Sequence, residues 1–207
     1  MRYLSCIHIV LIIAFLACPA WAELVHRYSF DSSTQDSIGD ADGTLMGDAV
    51  VSGGSLILDG VDDWMSMPGD VIAVNSYEAV TTELWFTSKA GGNTGYTMIL
   101  YFGGNGRSEG GASSNLGYHY LFMSAARGDN ASRAAIQTRS LDSSPWSEED
   151  AVAAGMEHDD GLMHHFVATL DSTHITFYID GQFIGTKPLT SGNAISGISR
   201  AMAYLGK

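Results

Sequence analysis

Residues 174–184 read His-Ile-Thr-Phe-Tyr-Ile-Asp-Gly-Gln-Phe-Ile, and this stretch decides the class of fold. Apolar and polar side chains alternate on both sides of Asp180-Gly181, with the period of a half-buried strand. Asp-Gly accepts the positive φ angles that both central residues of a type I′ turn require. The stretch therefore predicts an antiparallel β-hairpin.

The same alternation recurs along the chain, whereas helical periodicity is almost absent. One short helix is a candidate at 147–154, because Ser147 and Asp150 have capping-box spacing, and a polar loop is the alternative. The glycine-rich stretch 103–117 predicts a loop. The pattern as a whole predicts an all-β sandwich. Its predicted strands include 24–30, 56–58, 65–67, 80–86, 97–102, 118–124, 134–138, 165–170 and 174–179.

Length and charge exclude several classes of function. The chain has 207 residues, of which 45% are hydrophobic, and this suits one globular core. Lys and Arg number 10 against 23 for Asp and Glu, so the net charge is −13. A protein that binds nucleic acid by neutralising phosphates needs clustered basic residues, and docking on anionic membranes needs a basic run. Both classes of partner are therefore excluded.

The first 22 residues have the composition of a secretory signal peptide. Arg2 precedes an apolar run at 9–18, and small residues stand at Ala20 and Ala22, which predicts cleavage after Ala22. The run is shorter than the roughly 20 residues of a membrane-spanning helix, so we expect no stable membrane insertion. A permanent anchor and lipid attachment at Cys18 are the alternatives.

Both cysteines lie in this segment, and the mature chain 23–207 has none. A secreted eukaryotic domain of this size often carries a disulfide, so the composition favours bacterial export to the cell surface or the medium. We expect 23–207 to form one domain.

Five segments, in order, resemble laminin-G-like jelly-roll modules. The resemblance implies a concanavalin A-like fold, a jelly-roll sandwich of two antiparallel sheets. In that family the segment corresponding to 203–206 is followed by a glycine-rich turn and a final strand, so we expect the last strands to be missing here. A partner strand would then complete the sheet. The segments are 24–47, 58–68, 82–86, 164–168 and 177–181.

Residues 119–130 and 203–207 are similar to modules that accompany bacterial glycosidases acting on plant and algal polysaccharides. This resemblance implies a non-catalytic, lectin-like role with a polysaccharide or other glycan as ligand, beside an enzyme domain as partner. The alternative is a structural or adhesive surface module that contacts other proteins, because the fold alone does not choose between them.

Catalytic residues are not apparent. Sandwich glycanases carry paired carboxylates on one strand, as in Glu-x-Asp-x-x-Glu. Glu148 and Asp150 begin such a pattern, but Ala153 occupies its third position, and Glu83 stands alone on its strand. We therefore expect no enzymatic activity.

Aspartates crowd the first third of the mature chain, within predicted turns. Calcium prefers six to eight oxygen ligands, which loop carboxylates and carbonyls supply. Modules of the resembled family often carry a structural calcium ion, which makes Asp31 and Asp59 the first expected ligands. The alternative is that these aspartates are turn formers.

Histidines form a second cluster, at 158, 164 and 165. His165 alternates in phase with Val167, so we expect one histidine in or near the core with a satisfied nitrogen. Zinc binding is the alternative.

Sugar binding needs flat aromatic rings beside amides or carboxylates. Trp85 is expected in the core because its strand is central in the resembled family, and Trp64 fits either core or site. The expected ligand-binding residues are Trp146, Tyr118, Tyr120, Asn115 and Asp129.

Overall fold

The computed structural model describes residues 22–88, 97–104, 119–126, 131–138 and 149–206. Within them, thirteen strands account for nearly all regular structure. A single helical turn, α1 (Gly69–Ile72), and two 3₁₀ turns, Val74–Ser76 and Ile195–Gly197, complete it. The strands are β1 (Thr44–Met46), β2 (Val50–Ser52), β3 (Ser55–Ile57), β4 (Trp64–Met67), β5 (Val80–Thr87), β6 (Thr97–Gly103), β7 (Tyr120–Ala126), β8 (Arg133–Gln137), β9 (Asp150–Ala153), β10 (Met163–Leu170), β11 (His174–Ile179), β12 (Gln182–Pro188) and β13 (Met202–Leu205).

Two antiparallel sheets face each other. Seven strands form one sheet in the order β1-β4-β13-β6-β7-β8-β9, and four form the other in the order β12-β11-β10-β5. The short hairpin β2-β3 stands apart from both, and β11 lies over β8 and β9 of the larger sheet. Strands that follow each other in the sequence are often not adjacent in a sheet, as is typical of a jelly roll. The predicted fold class is therefore confirmed.

The core lies between the sheets because each strand turns alternate side chains inward. Phe166 is fully buried and packs edge-to-face against Phe86 and Phe177, with ring centroids 4.7 and 5.0 Å apart. From the larger sheet, Met65 and Leu121 complete the same cluster. The predicted phase of β5 is also confirmed, since Leu84 and Phe86 pack on the core.

The predicted hairpin is confirmed. Ile179 pairs with Gln182, and the two residues between them have φ angles of 51° at Asp180 and 75° at Gly181. These are the positive values that a type I′ turn demands.

Three predictions from the sequence are wrong. Residues 24–30 form no strand, although Tyr28 and Phe30 still pack on the core. The predicted helix or loop at 147–154 contains instead β9, which pairs with β8 and buries Val152. Trp85 is 61% exposed, because β5 is an edge strand and Trp85 lies on the side facing away from the core.

Among the described residues, no helix has the length and apolar character that crossing a bilayer requires. The predicted signal peptide lies outside them up to residue 21.

Candidate functional site

Four aspartates converge at the end of the β1-β4 pair. Asp48, Asp59, Asp62 and Asp63 each bring a carboxylate oxygen to within 4.8 Å of the others, and Asp63 alone among them is buried. Pairing of Met46 with Trp64 brings the two loops together. We call these four residues the aspartate group. It is the one such cluster of potential metal ligands in the described part of the chain.

The backbone shapes this group. Asp63 accepts hydrogen bonds from the amide of Asp48 at Oδ1 (2.7 Å) and from the amide of Asp59 at Oδ2 (3.0 Å). Gly47 has a φ of 69°, and a Cβ there would lie 2.5 Å from Asp63 Oδ1. Glycine is therefore needed both for the backbone angle and for the close approach of this carboxylate.

Like charges repel within the aspartate group. The side-chain hydrogen bond to Asp63 raises the pKa of Asp48, and the charges of Asp63 and Asp59 raise it further. Burial opposes ionisation of Asp63, but backbone and side-chain hydrogen bonds at Asp59 and Asp48 hold its pKa below the usual value. The potential metal-ligand atoms of the group are all carboxylate oxygens, which suit Ca²⁺ and other hard cations. The residues therefore fit a metal ion of this class.

Asp59, one of the two predicted metal ligands, belongs to the aspartate group, but Asp31 does not. Asp31 lines a separate shallow cleft of about 350 Å³ with Asp36 and Asp42. Asp48 was missed from the sequence because it joins the group only through the pairing of β1 with β4.

Aromatic rings line the outer face of the seven-stranded sheet, which faces away from the core. Tyr101 stacks on Tyr204, with ring centroids 4.8 Å apart, and contacts Tyr120, which in turn contacts Phe122. We call these four residues the tyrosine face. Tyr204 is partly exposed, and Trp64 and Ser66 extend the same surface on β4.

Polar groups stand among these rings. Arg133 Nη1 donates to Glu149 Oε1 at 2.8 Å, and the Tyr120 hydroxyl donates to Glu149 Oε2 at 2.7 Å. Ser124 Oγ and Gln137 Nε2 are buried beside them and have no hydrogen-bond partner in the part of the chain that the structure describes.

Of the predicted ligand-binding residues, Tyr120 lies on the tyrosine face, with its ring fully buried rather than open to solvent. Its role in binding stays a prediction. The other four lie outside the described residues: Trp146, Tyr118, Asn115 and Asp129.

The buried histidine is His164, and its two ring nitrogens contact Asp180 Oδ2 (2.8 Å) and Asp160 Oδ1 (3.1 Å). Burial opposes its charged form, but these two carboxylates raise its pKa. His158 contacts Ser132 Oγ at 2.8 Å, and burial lowers the pKa of its imidazole. A histidine therefore lies in the core, but it is His164, whereas His165, which alternation with Val167 indicated, lies on the outer face with Val167.

Asp150, which begins the glycanase-like pattern, is committed to structure. It is 1% exposed and accepts hydrogen bonds from the amide and hydroxyl of Thr190 and from the amide group of Asn193. Burial opposes ionisation, but these bonds lower its pKa. The residue therefore fastens β9 to the segment after β12.

Known structures share this fold at low sequence identity. Domain 4 of AbnA, a GH43 extracellular arabinanase from Geobacillus stearothermophilus solved with arabinotriose, is 15% identical, with a TM-score of 0.62. The match covers 89% of this chain and 82% of that one. A Trypanosoma rangeli sialidase mutant with trans-sialidase activity is 16% identical, with a TM-score of 0.53, over 88% of this chain and 26% of that one.

The binding domain of Botulinum neurotoxin serotype G is 10% identical, with a TM-score of 0.51, over 82% of this chain and 42% of that one. No curated protein matches the chain. The family model described as the concanavalin A-like lectin/glucanases superfamily matches residues 59–207, which is more than half of the sequence. The chain therefore belongs to the concanavalin A-like lectin/glucanase superfamily.

Proposed function

We propose that this protein is an exported, non-catalytic module that binds a neutral glycan on the tyrosine face. One observation carries the proposal: the partly exposed Tyr204 ring stacks on Tyr101 at 4.8 Å, on a face where Glu149 binds both the Tyr120 hydroxyl and Arg133. Rings stack on the apolar faces of sugars, and convergent polar groups bind their hydroxyls. Within the described residues of this face, Arg133 is paired with Glu149, which favours a neutral sugar over an acidic one.

The fold neighbour solved with arabinotriose supports a glycan as the ligand class. Within the tyrosine face, Tyr204 is the ring that an incoming sugar reaches first, since it is partly exposed while Tyr101 and Tyr120 are buried.

We also propose that the aspartate group binds Ca²⁺ and that the ion is structural. The group offers carboxylate oxygens, whose mutual repulsion a divalent cation relieves. The ion would join the loop after β1 to the loop before β4.

The proposal of glycan binding is tested by calorimetric titration of the purified protein with arabinotriose, xylohexaose and cellohexaose, with sialyllactose as the acidic comparison. We expect a neutral oligosaccharide to bind and Tyr204→Ala to weaken it about tenfold, since a stacking ring contributes on the order of 1 kcal/mol. No reducing sugar should be released.

Tyr77→Ala is the matched control, because Tyr77 is also half-buried but follows the 3₁₀ turn at Val74–Ser76. It should bind within about twofold of the wild type. Equal binding by the two variants, or no binding of any neutral glycan by the wild type, would contradict the proposal. Export is tested separately, by sequencing the N-terminus of the secreted protein, which should begin at Glu23.

A further inference from the structure

The outer face of the four-stranded sheet carries a second ordered aromatic surface. Trp85 projects from edge strand β5 and is 61% exposed, which is unusual for the largest apolar side chain. It lies on the opposite sheet from the tyrosine face, so the two surfaces are separated by the whole core.

Trp85 is held in place rather than left free. His165 is its direct partner across the β5-β10 pair, and the two rings stack with centroids 4.4 Å apart and planes 11° from parallel. One face of the indole is thus covered by the imidazole. The other face points away from β10, where the described residues place no further strand. This open face is available to a flat apolar ligand surface.

His165 is fixed in turn by Glu83. Its Nε2 lies 2.8 Å from Glu83 Oε1, and the Glu83 side chain remains 50% exposed. Glu83 precedes Trp85 by two residues, so both side chains leave the same face of β5. A second carboxylate oxygen is therefore left beside the indole to accept hydrogen bonds.

This combination selects a sugar over an apolar partner. A pyranose ring presents C–H groups on one face and hydroxyls at its edge, which match an indole and an adjacent carboxylate. Threonines paired across the strands, Thr81 with Thr169 and Thr169 with Thr176, continue the surface with hydroxyls.

The charged side chains of this face indicate whether its ligand is an acidic or a neutral sugar. Strands β5, β10 and β11 contain no Lys or Arg. The single lysine of β12, Lys187, approaches Asp150 of the other sheet at 3.7 Å. Within the described strands, this face carries Glu83 and no Lys or Arg side chain, which disfavours acidic sugars.

We propose that Trp85, braced by His165 and Glu83, forms a second glycan site that takes a neutral pyranose ring. Because stacking and hydrogen bonding fix the indole before binding, little side-chain entropy is lost on association. With sites on both sheets, one protein molecule can join two glycan chains or bind one polysaccharide at two points. The second site does not depend on ligand binding at the tyrosine face.

The test is calorimetric titration of the full chain with cellohexaose, mannohexaose and laminarihexaose, with indole N–H signals followed by NMR. We expect two sites per chain in the wild type and one in Trp85→Ala, with affinity at the second site reduced at least about tenfold. His165→Ala, which leaves the indole in place but unbraced, should weaken that site several-fold and shift the Trp85 indole signal even without sugar.

Phe183→Ala is the matched control, because Phe183 is also 61% exposed on this face but lies on the opposite edge strand and packs edge-on against Tyr178. It should bind as the wild type does. Equal losses in Phe183→Ala and Trp85→Ala would overturn the proposal, since they indicate a merely apolar surface. Loss of self-association in Trp85→Ala without a change in sugar binding would overturn it in favour of a contact between copies.

The outcomes separate the two sites. If Tyr204→Ala loses a site while Trp85→Ala binds as the wild type does, the second site is overturned and the proposed function stands. If Trp85→Ala loses all binding while Tyr204→Ala loses none, the second site is supported and the tyrosine face is not the binding surface. Absence of binding to every neutral oligosaccharide in both sets of titrations would overturn both.

Discussion

Asp36 and Asp63 are both more than nine-tenths buried in loops, but hydrogen-bond donors surround the first and three other carboxylates surround the second. Asp36 Oδ1 accepts the amides of Arg27, Ile38 and Gly39, at 2.9–3.2 Å. Its Oδ2 accepts the amide of Ala41 and lies 2.6 Å from His26 Nδ1. Asp63 accepts two amides, and its nearest charged neighbours are of its own sign.

The difference separates a carboxylate that holds a loop by hydrogen bonds from the group for which we propose calcium binding. Burial of a charged carboxylate is unfavourable because the group loses its hydration. At Asp36, hydrogen bonds from five N–H donors offset this loss without any ion. In the aspartate group, hydrogen bonds lower the pKa of Asp63, but the side-chain hydrogen bond to Asp63 and then the charges of Asp63 and Asp59 raise the pKa of Asp48. An aspartate-rich sequence therefore predicts a cation site only where the donors around each carboxylate are too few.

The largest effect is expected from Asp36→Ala. The change removes the acceptor of five hydrogen bonds and leaves buried amides unpaired, so we expect the free energy of unfolding to fall by about 3 kcal/mol. Urea denaturation measures this fall. Because these bonds hold residues 26–27 against 36–41, amide hydrogen exchange should rise there first.

Asp40→Ala is the control, since Asp40 is an exposed aspartate in the same loop. It should change stability by less than about 0.5 kcal/mol. If the two variants were equally stable, the hydrogen bonds of Asp36 would not hold the loop, and the contrast with Asp63 would fail.

The second-largest effect is expected from calcium, which should raise the melting temperature. Saturating calcium chloride should raise the melting temperature by about 5–10 °C over EDTA, because an ion bound only by the folded state stabilises that state. Differential scanning fluorimetry in the two buffers measures the shift. Asp62→Asn should reduce it strongly, whereas Asp40→Asn, which removes the same charge outside the group, should preserve it. An identical melting temperature in the two buffers would show that the group binds no calcium.

Local patterns predicted much of this fold. The hairpin at Asp180-Gly181 and the inward phase of Met65 and Met67 follow from alternation and turn chemistry within a few residues. Such features need no knowledge of distant contacts. The strand at Asp150–Ala153 was missed because pairing with β8 overrides a weak helical signal.

The sites depended on contacts that the sequence does not display. The family resemblance implies a central strand and a buried Trp85, but long-range pairing sets the strand order and places β5 at an edge. Asp59, which the resemblance implies as a metal ligand, lies in the aspartate group, whereas Asp48 lies in another loop, which only the β1-β4 register brings near. Residue types thus indicated that acidic and aromatic sites exist, whereas strand pairing determines which of these residues lie together.

The third prediction concerns Gly47 and tests whether the close approach of Asp63 to this residue matters for stability and calcium binding. Gly47→Ala forces a side chain into a positive φ and against Asp63 Oδ1, so we expect a loss of about 2 kcal/mol and a smaller calcium shift. Gly53→Ala is matched, since Gly53 has a φ of 61° but open space around it. It should cost about 1 kcal/mol from backbone strain alone and leave the calcium shift intact. Equal behaviour of the two would mean that the close approach of Asp63 has no role.

The smallest effect is the loss of folding stability that we expect as the pH falls. Burial opposes ionisation of Asp36, but the hydrogen bonds from His26 and the backbone hold its pKa well below the usual range. The unfolded chain takes up this proton near the ordinary value of about 3.9, and the folded protein does not. The stabilisation from Asp36 is therefore present above about pH 4 and is lost as the pH falls below it.

Between pH 5 and pH 3, in EDTA, the wild type should lose about 1 kcal/mol more stability than Asp36→Asn, in which this titration is absent. Urea denaturation at several pH values measures the difference, and the other carboxylates cancel because both proteins contain them. Parallel stability curves would mean that Asp36 titrates alike in the folded and unfolded states. Its five hydrogen bonds would then contribute no preference for the charged form, and the distinction between Asp36 and the aspartate group would rest on geometry alone.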